Sequence, residues 1–280
     1  MNPVEPVIDV SGWAPDDEEP LGARDKFWIR ESTDPEATWW LFKRPRATGL
    51  PELGADLWAE VLASRIAELL PLPAAEARFA LWQGRPGVIS KRVGDGLVHG
   101  NELLSSHNPG YRTAQVGPVP GYDLDAIAVA LDGYASSEPG LSAFEAFTGY
   151  LTFDALVGNT DRHHENWAVL TGSQSLAPTY DHGASLGFNA TAARRVDPAA
   201  FAERGSARHF PGDPRLSDLA HQALGRVDDS VRALWLKRVS ALDGGMIRDA
   251  ISVVPGGWMS DGARTFVEDF ITANQRRLTP

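Results

Sequence analysis

The chain has 280 residues, 43% of them hydrophobic and 22% charged, which is enough to bury a large core and to build two lobes around a shared cleft. A formal net charge of −11 and a pI near 5.1 argue against nucleic acid as the main direct partner, because a phosphate backbone requires a basic footprint. The absence of cysteine excludes a disulfide frame and a thiolate metal site. No apolar run approaches membrane-spanning length, and the start Met1-Asn2-Pro3-Val4-Glu5 lacks the basic-then-apolar order of a secretory signal, so a cytoplasmic protein with no membrane partner is expected.

Residues 1–25 are rich in Pro, Asp and Glu and are expected to lie loosely on the surface. Strand-like runs follow at 26–30, 38–43, 77–82 and 87–93, around one helix over about 55–70 whose apolar stripe is Leu57, Val61, Leu62, Ile66, Leu69 and Leu70. Pro71 and Pro73 stop that helix. The run Trp39-Trp40-Leu41-Phe42-Lys43 fits a buried strand presenting an ammonium to nucleotide phosphates, while Lys43, Arg44 and Arg46 read in isolation as a solvated basic strand end. Gly87 to Val93 reads as the strand entering a hinge, with backbone groups near Lys91 to Val93 facing an adenine. Residues 106–122, dense in Pro, Gly, Asn and Tyr, read as a loop. Helices are expected over 124–131 and 141–157, and from 213 onward Leu219, Leu224, Val231, Leu234, Trp235, Val239 and Leu242 make core stripes. The division is residues 1–93 as an N-terminal lobe of sheet plus one helix, and 94–280 as a helical C-terminal lobe. Most of the nine tryptophans belong to the core.

The helix over 141–157 delivers Gly158-Asn159-Thr160-Asp161-Arg162-His163-His164-Glu165-Asn166, and after an apolar strand comes Leu176-Ala177-Pro178-Thr179-Tyr180-Asp181-His182-Gly183. Asp161, Asn166 and Asp181 have the spacing of a phosphoryl-transfer site: a carboxylate to orient the attacking hydroxyl, an amide five residues on to hold metal, and a second carboxylate bridging metal to nucleotide. The transferring phosphoryl group carries negative charge on its peripheral oxygens, so neutralisation by Mg²⁺ on hard oxygen ligands dominates the chemistry. A zinc site of Asp161, His163 and His164 competes, but it leaves Asn166 and Asp181 unused, and adjacent histidines on an irregular loop point apart. A plain polar turn is the bland alternative, weakened by the presence of two clusters in register.

Asn159-Thr160-Asp161-Arg162-His163 with Asn166, then Ala177-Pro178-Thr179-Tyr180-Asp181, resembles the catalytic loop and metal segment of the HipA-like serine/threonine kinases of bacterial toxin–antitoxin systems. The Asp-Arg-His-x-x-Asn order also resembles lipid kinases, and the Ala-Pro-x-Tyr-Asp element favours the HipA-like branch. The resemblance implies an α+β, bilobal, protein-kinase-like fold, with a small β-rich N-lobe and a larger, mostly helical C-lobe. It implies ATP and Mg²⁺ as cofactors, Asp161 as catalytic carboxylate with His163 in support, and Asn166 and Asp181 on the metal. Lys43 becomes the nucleotide lysine and Glu60 its ion-pair partner, with Glu68 as fallback and Asp56 too short. Gly22-Ala23-Arg24-Asp25-Lys26 resembles a phosphate-covering loop with a single glycine, so Lys26 would supply the charge; Ser32 is no clear counterpart of the family's phosphorylatable serine. With the lysine strand beginning by residue 39, the extra amino-terminal subdomain of longer relatives is not expected. The implied partners are a hydroxyl-bearing protein and a cognate antitoxin. A small-molecule, peptide or lipid acceptor, AMP transfer, and a pseudokinase that only binds nucleotide stay open, and Arg194, Arg195, Arg204 and Arg208 read either as a substrate groove or as a solvated face.

Overall fold

In the computed structural model, described over residues 5–15, 26–32, 34, 36–46, 54–112 and 118–279, alternation of apolar side chains sets the first half of the chain. Short β1 (Ile8–Asp9) and β2 (Ala14–Pro15) are followed by β3 (Lys26–Arg30), β4 (Trp39–Lys43), helix α1 (Ala55–Leu69), β5 (Ala77–Trp82) and β6 (Arg85–Lys91). The strands form one curled sheet in the order β1-β5-β6-β4-β3-β2, antiparallel except where β1 joins β5. Residues opposite one another in antiparallel strands share a face. One face therefore carries Phe27, Ile29, Trp40, Phe42 and Ile89, packed with Val10 into a small core of their own. The other face carries Lys26 opposite Lys43 and Trp28 opposite Leu41, with Ser90 next to Leu41 and Val88 next to Lys43.

Helix α1 lies on that second face and is buried on nearly every side, Trp58, Val61, Leu62 and Ile66 joining Phe79 and Val88 in the main core. Its start is Gly54 at φ 77, a left-handed position that glycine adopts without strain. Helix α1 and the strands β3 to β5 fall within a residue of the sequence expectation. The last strand begins two residues earlier than expected because Gln83 and Gly84, at φ 51 and 73, close a two-residue hairpin that pairs Arg85 with Trp82. Residues 5–15 correct the expectation of a loose amino-terminal surface segment. Val10 is fully buried, β1 and β2 extend the sheet, and Glu5 pairs with Arg65 of α1 at 2.9 Å.

The remainder is mostly helical. Strand β7 (Leu97–His99) leads into α2 (Gly100–His107), neither of which the sequence reading contained; α3 (Leu124–Ala130) and α4 (Ala143–Val157) follow, then β8 (Ala168–Leu170) and β9 (Ser175–Leu176), which with β7 form a three-stranded sheet. The carboxy-terminal part holds α5 (Ala192–Arg195), α6 (Pro198–Glu203), α7 (Leu216–Leu224), α8 (Asp229–Ala241), α9 (Gly244–Ser252) and α10 (Asp261–Leu278). Among the described residues no helix is long and apolar enough to cross a membrane.

Helix α4 positions the functional loop. A reciprocal cap between Ser142 and Glu145 starts it, and Gly158 at φ 67 ends it, where a Cβ would lie 2.4 Å from the Phe270 ring. Thr179, ahead of Asp181, is held to the chain after α1 by backbone hydrogen bonds, Ala75 N to Thr179 O at 2.8 Å and Thr179 N to Pro73 O at 3.0 Å. The two motif segments are thus fixed to the core and to the sheet lobe's helix.

Candidate active site

A buried ionic knot holds the loop. Arg162, 3% exposed, donates Nε to Asp154 Oδ2 at 2.7 Å and Nη2 to Asp154 Oδ1 at 2.8 Å, so α4 and the loop are joined by a fork-to-fork pair. The same guanidinium donates to Thr179 Oγ1 at 2.8 Å and to the Asn166 carbonyl at 2.5 Å, reaching both motif segments. Asn159 Nδ2 completes the knot on Asp154 Oδ1 at 2.8 Å. His182 Nε2 shares a hydrogen bond with Thr179 Oγ1 at 3.0 Å; burial, aided by the Arg162 charge, pushes this imidazole well below its usual pKa, so it is neutral.

On that frame Asn166 and Asp181 face the second face of the sheet across a cleft, while the Asp161 carboxylate lies beside it. Asn166 donates Nδ2 to the Asp161 carbonyl at 2.7 Å, which fixes the amide and leaves its Oδ1 without a hydrogen-bond donor among the described residues. Asp181 stands at φ 60, a left-handed conformation that Asp tolerates better than most residues. Its Oδ1 accepts from Lys43 Nζ at 2.9 Å, and the same ammonium lies 3.2 Å from Glu60 Oε1. Burial alone would pull the Lys43 pKa down, but the two carboxylates reverse this and hold it above its usual value. Lys43 in turn keeps the Asp181 carboxyl well below the ordinary range, with Lys26 and Arg46 adding to the effect. Burial raises Glu60 despite the same lysine. Glu68 is turned to Arg65 at 2.9 Å, and Asp56 accepts from the Arg46 backbone at 3.1 Å, so neither competes for Lys43.

These groups open on a cleft of about 500 Å³ with Lys26, Trp28, Leu41 and Lys43 on the sheet side, Asn166 and Asp181 on the other, and Lys91 to Val93 at the rim. Lys91 turns its ammonium to the opposite face, toward Glu76 and the Trp40 ring. Its N–H is bonded to Glu76 O and that of Arg92 to Trp39 O, so among the described residues Val93 carries the first rim N–H not engaged by backbone. The stretch Gly22 to Asp25 lies outside the described residues, and Ser32 sits beyond β3, bonded to the Asp34 N–H at 3.2 Å.

Asp161 is engaged by a segment the motif reading did not contain. His209 Nε2 donates to its Oδ1 at 2.8 Å and Arg208 Nη2 lies 3.1 Å from the same oxygen. Burial would raise this carboxyl, but the His209 hydrogen bond and the Arg208 charge lower it to about 2. The only hydrogen bond found between His163 and Asp161 is backbone, the His163 N–H on the Asp161 carbonyl at 2.8 Å; the His163 ring lines the cleft, faces His209 at 5.3 Å and is near enough to act on the Asp161 carboxyl by charge. His164 points elsewhere, sharing a 2.7 Å hydrogen bond with the Tyr111 hydroxyl, and the two adjacent rings are 6.2 Å apart and nearly perpendicular. Among the described residues no three His, Asp or Glu side chains are grouped to hold a metal, so the zinc arrangement does not form. Of the groups lining the cleft, the Asn166 amide oxygen and the Asp181 carboxylate are hard oxygens of the kind Mg²⁺ takes.

A family model described as the HipA-like C-terminal domain matches residues 20–241. Among solved structures, the Helicobacter pylori proinflammatory kinase CtkA superposes with a TM-score of 0.73 at 17% identity, covering 98% of this chain and 96% of that one. HipA of the Shewanella oneidensis MR-1 toxin–antitoxin system, in a complex with HipB and operator DNA, superposes with a TM-score of 0.54 at 13% identity, covering 90% of this chain and 63% of that one. At such identities these likenesses establish the kinase-like fold and no more. No curated protein sequence matches the chain.

Proposed function

The chain belongs to the HipA-like C-terminal domain family, and on that premise we propose that it is an ATP-dependent phosphotransferase acting on a Ser or Thr hydroxyl of a protein. The observation that carries the reading is that Asn166, Asp181 and Lys43 line one cleft, with Lys43 paired to both Asp181 and Glu60 and with Asp161 tied to Asn166 through its backbone carbonyl. Lys43 would bind the α- and β-phosphates, its reach set by Glu60 at 3.2 Å, and Lys26 would add charge above them. Asn166 and Asp181 would hold Mg²⁺, which when bound neutralises the phosphate oxygens. The Val93 backbone and the Trp28 and Leu41 side chains suit an adenine, offering one N–H and an apolar wall. Asp161 would orient the acceptor hydroxyl and take its proton as the oxygen–γ-phosphorus bond forms and the bond to the β-phosphate oxygen breaks, leaving ADP. His209 and Arg208 must yield Oδ1 first, since a carboxylate held at about 2 is a poor base. His163 supports the loop through its backbone.

The domain division at residues 93 and 94 belongs to this proposal, as do cytoplasmic residence and a small antitoxin partner, the latter on the strength of the HipA–HipB assembly. The net charge of −11 favours the antitoxin, rather than this chain, as the DNA-contacting component.

The test is label transfer from ATP, with Mg²⁺, to protein and to small alcohols. Label should move from the γ- and not the α-position, and Asp161→Asn should lower transfer by on the order of 10² to 10⁴ while calorimetric nucleotide binding changes little. Asp181→Asn should weaken Mg²⁺-dependent binding more than Asp161→Asn does. Transfer of the α-label would replace the reading by AMP transfer; transfer only to small alcohols would overturn the protein acceptor; Mg²⁺-independent binding without turnover would leave a pseudokinase.

A further inference from the structure

Beside the catalytic loop, on the side away from the nucleotide cleft, lies a second cavity of about 560 Å³. Gly158 and Thr160 form its border with the loop, Phe188 and Phe201 give it an apolar floor, and Arg194, Arg204 and Arg208 line it. No Asp or Glu is among its lining residues. Acids outnumber bases in this chain 37 to 26, so an arginine-lined, acid-free cavity is not what average composition would supply. Among the described residues no carboxylate lies within ion-pair distance of Arg194 or Arg204, and Arg208 has one, Asp161 itself. Arg194 lies in the single turn of α5 and Arg204 caps α6, two short elements whose residues line one mouth.

We infer that this cavity is the acceptor subsite of the proposed phosphotransferase, and that it selects a peptide segment carrying an oxyanion, a carboxylate or a phosphate, close to the acceptor hydroxyl. The inference rests on the kinase reading for the word acceptor, and on the cavity alone for the charge. Guanidinium forks match both oxyanions in planar, two-point geometry, and all three arginines are exposed at the mouth, where a peptide can reach them. Arg208 couples selection to the chemistry. It contacts Asp161 Oδ1 at 3.1 Å from the rim of the same cavity, so an oxyanion that engages Arg208 draws it off the carboxylate and clears one of the two contacts the hydroxyl must displace. An acceptor with a basic flank offers nothing to withdraw Arg208 and adds like charge to the mouth.

The test uses the full chain with Mg²⁺ and a non-hydrolysable ATP analogue, and fluorescein-labelled peptides of equal length with a central serine flanked by glutamate, by phosphoserine or by lysine. Binding by anisotropy should favour the glutamate or phosphoserine peptide over the lysine peptide by about tenfold or more, and the preference should shrink as salt is raised past a Debye length of about 10 Å at 0.1 M. The better of the two anionic peptides identifies the oxyanion. The double variant Arg194→Glu/Arg204→Glu should abolish the preference with unchanged Mg²⁺–nucleotide affinity; if that variant loses nucleotide binding, Arg194→Gln/Arg204→Gln is measured in its place and should reduce the preference. A lysine peptide bound as tightly as the anionic ones, or a preference that survives both variants, overturns the inference. Label transfer to the same peptides is scored separately: anionic preference without transfer sinks the kinase reading and keeps the subsite, whereas transfer without preference does the reverse.

Discussion

Replacing Lys43 by Met removes the ammonium that lies between Glu60 and Asp181 while keeping an unbranched stem in the strand. The Glu60 side chain is 4% exposed, so the substitution strands a buried carboxylate, a change that costs about 3–5 kcal/mol when one partner of a buried pair is deleted. The Asp181 side chain is 34% exposed and screened by solvent, so it adds little and the lower end, about 3 kcal/mol, is expected. At roughly 2–4 °C per kcal/mol for a chain of this size, the melting temperature should fall by roughly 6–12 °C. The pH dependence has a definite sign. Burial already raises the Glu60 pKa and Lys43 opposes this, so the variant raises it further. A carboxyl with a raised folded-state pKa stabilises fully below its unfolded value, about 4.3, and loses that contribution as pH rises through the folded value, so the deficit should be larger near neutral pH than in acid. Thermal melts followed by circular dichroism at about pH 5 and about pH 7.5 measure both effects, and adding Glu60→Gln should recover most of the loss. A variant melting within about 2 °C of the wild type, or one that Glu60→Gln does not rescue, would refute the reasoning.

The parts of this molecule legible in the sequence are those whose cause is local. Strands β3 to β5 are short runs rich in aromatic and aliphatic residues, α1 carries an apolar stripe and ends before Pro71, and Asp161, Asn166 and Asp181 sit in two short segments. Glu60 was legible because the helix after the lysine strand could present only a few acids toward it. What escaped depends on distant chain. His209 reaches Asp161 from 48 residues away, and nothing in its neighbourhood marks it beyond the preceding arginines. Arg162 reads as the middle of a motif, yet it ties α4 to the Thr179–Asp181 segment through Asp154 and Thr179. Helix α2 begins at Gly100, normally a breaking signal, because a Cβ there would meet the Trp167 ring at 2.2 Å. Strands β1 and β2 are two residues each, too short for any alternation to register.

Two further predictions address the Asn159–Asn166 loop. His209→Ala deletes the hydrogen bond that most lowers the Asp161 carboxyl, so its pKa should rise from about 2 toward the usual range in a carboxyl-carbon NMR titration. A depressed carboxyl lends stability that is present above its unfolded pKa and lost as pH falls toward the folded value, so acid unfolding in this variant should begin at higher pH; an unmoved titration would assign the depression to Arg208 instead. Asp154→Asn tests the knot beneath the loop. Arg162 is buried, its fork is satisfied by both Asp154 oxygens, and an amide of the same shape offers one oxygen and turns an N–H toward the guanidinium. Removing one charge of a buried pair costs about 3–5 kcal/mol, enough to lower the melting temperature by several degrees at any pH where the carboxylate would have been ionised. The same guanidinium holds the Asn166 carbonyl and Thr179, so on the proposed reading Mg²⁺-dependent nucleotide affinity should fall with stability even though Asp154 is buried and does not line the cleft. A variant that loses stability but keeps full Mg²⁺–nucleotide affinity would confine the knot to folding and sever its link to the metal segment.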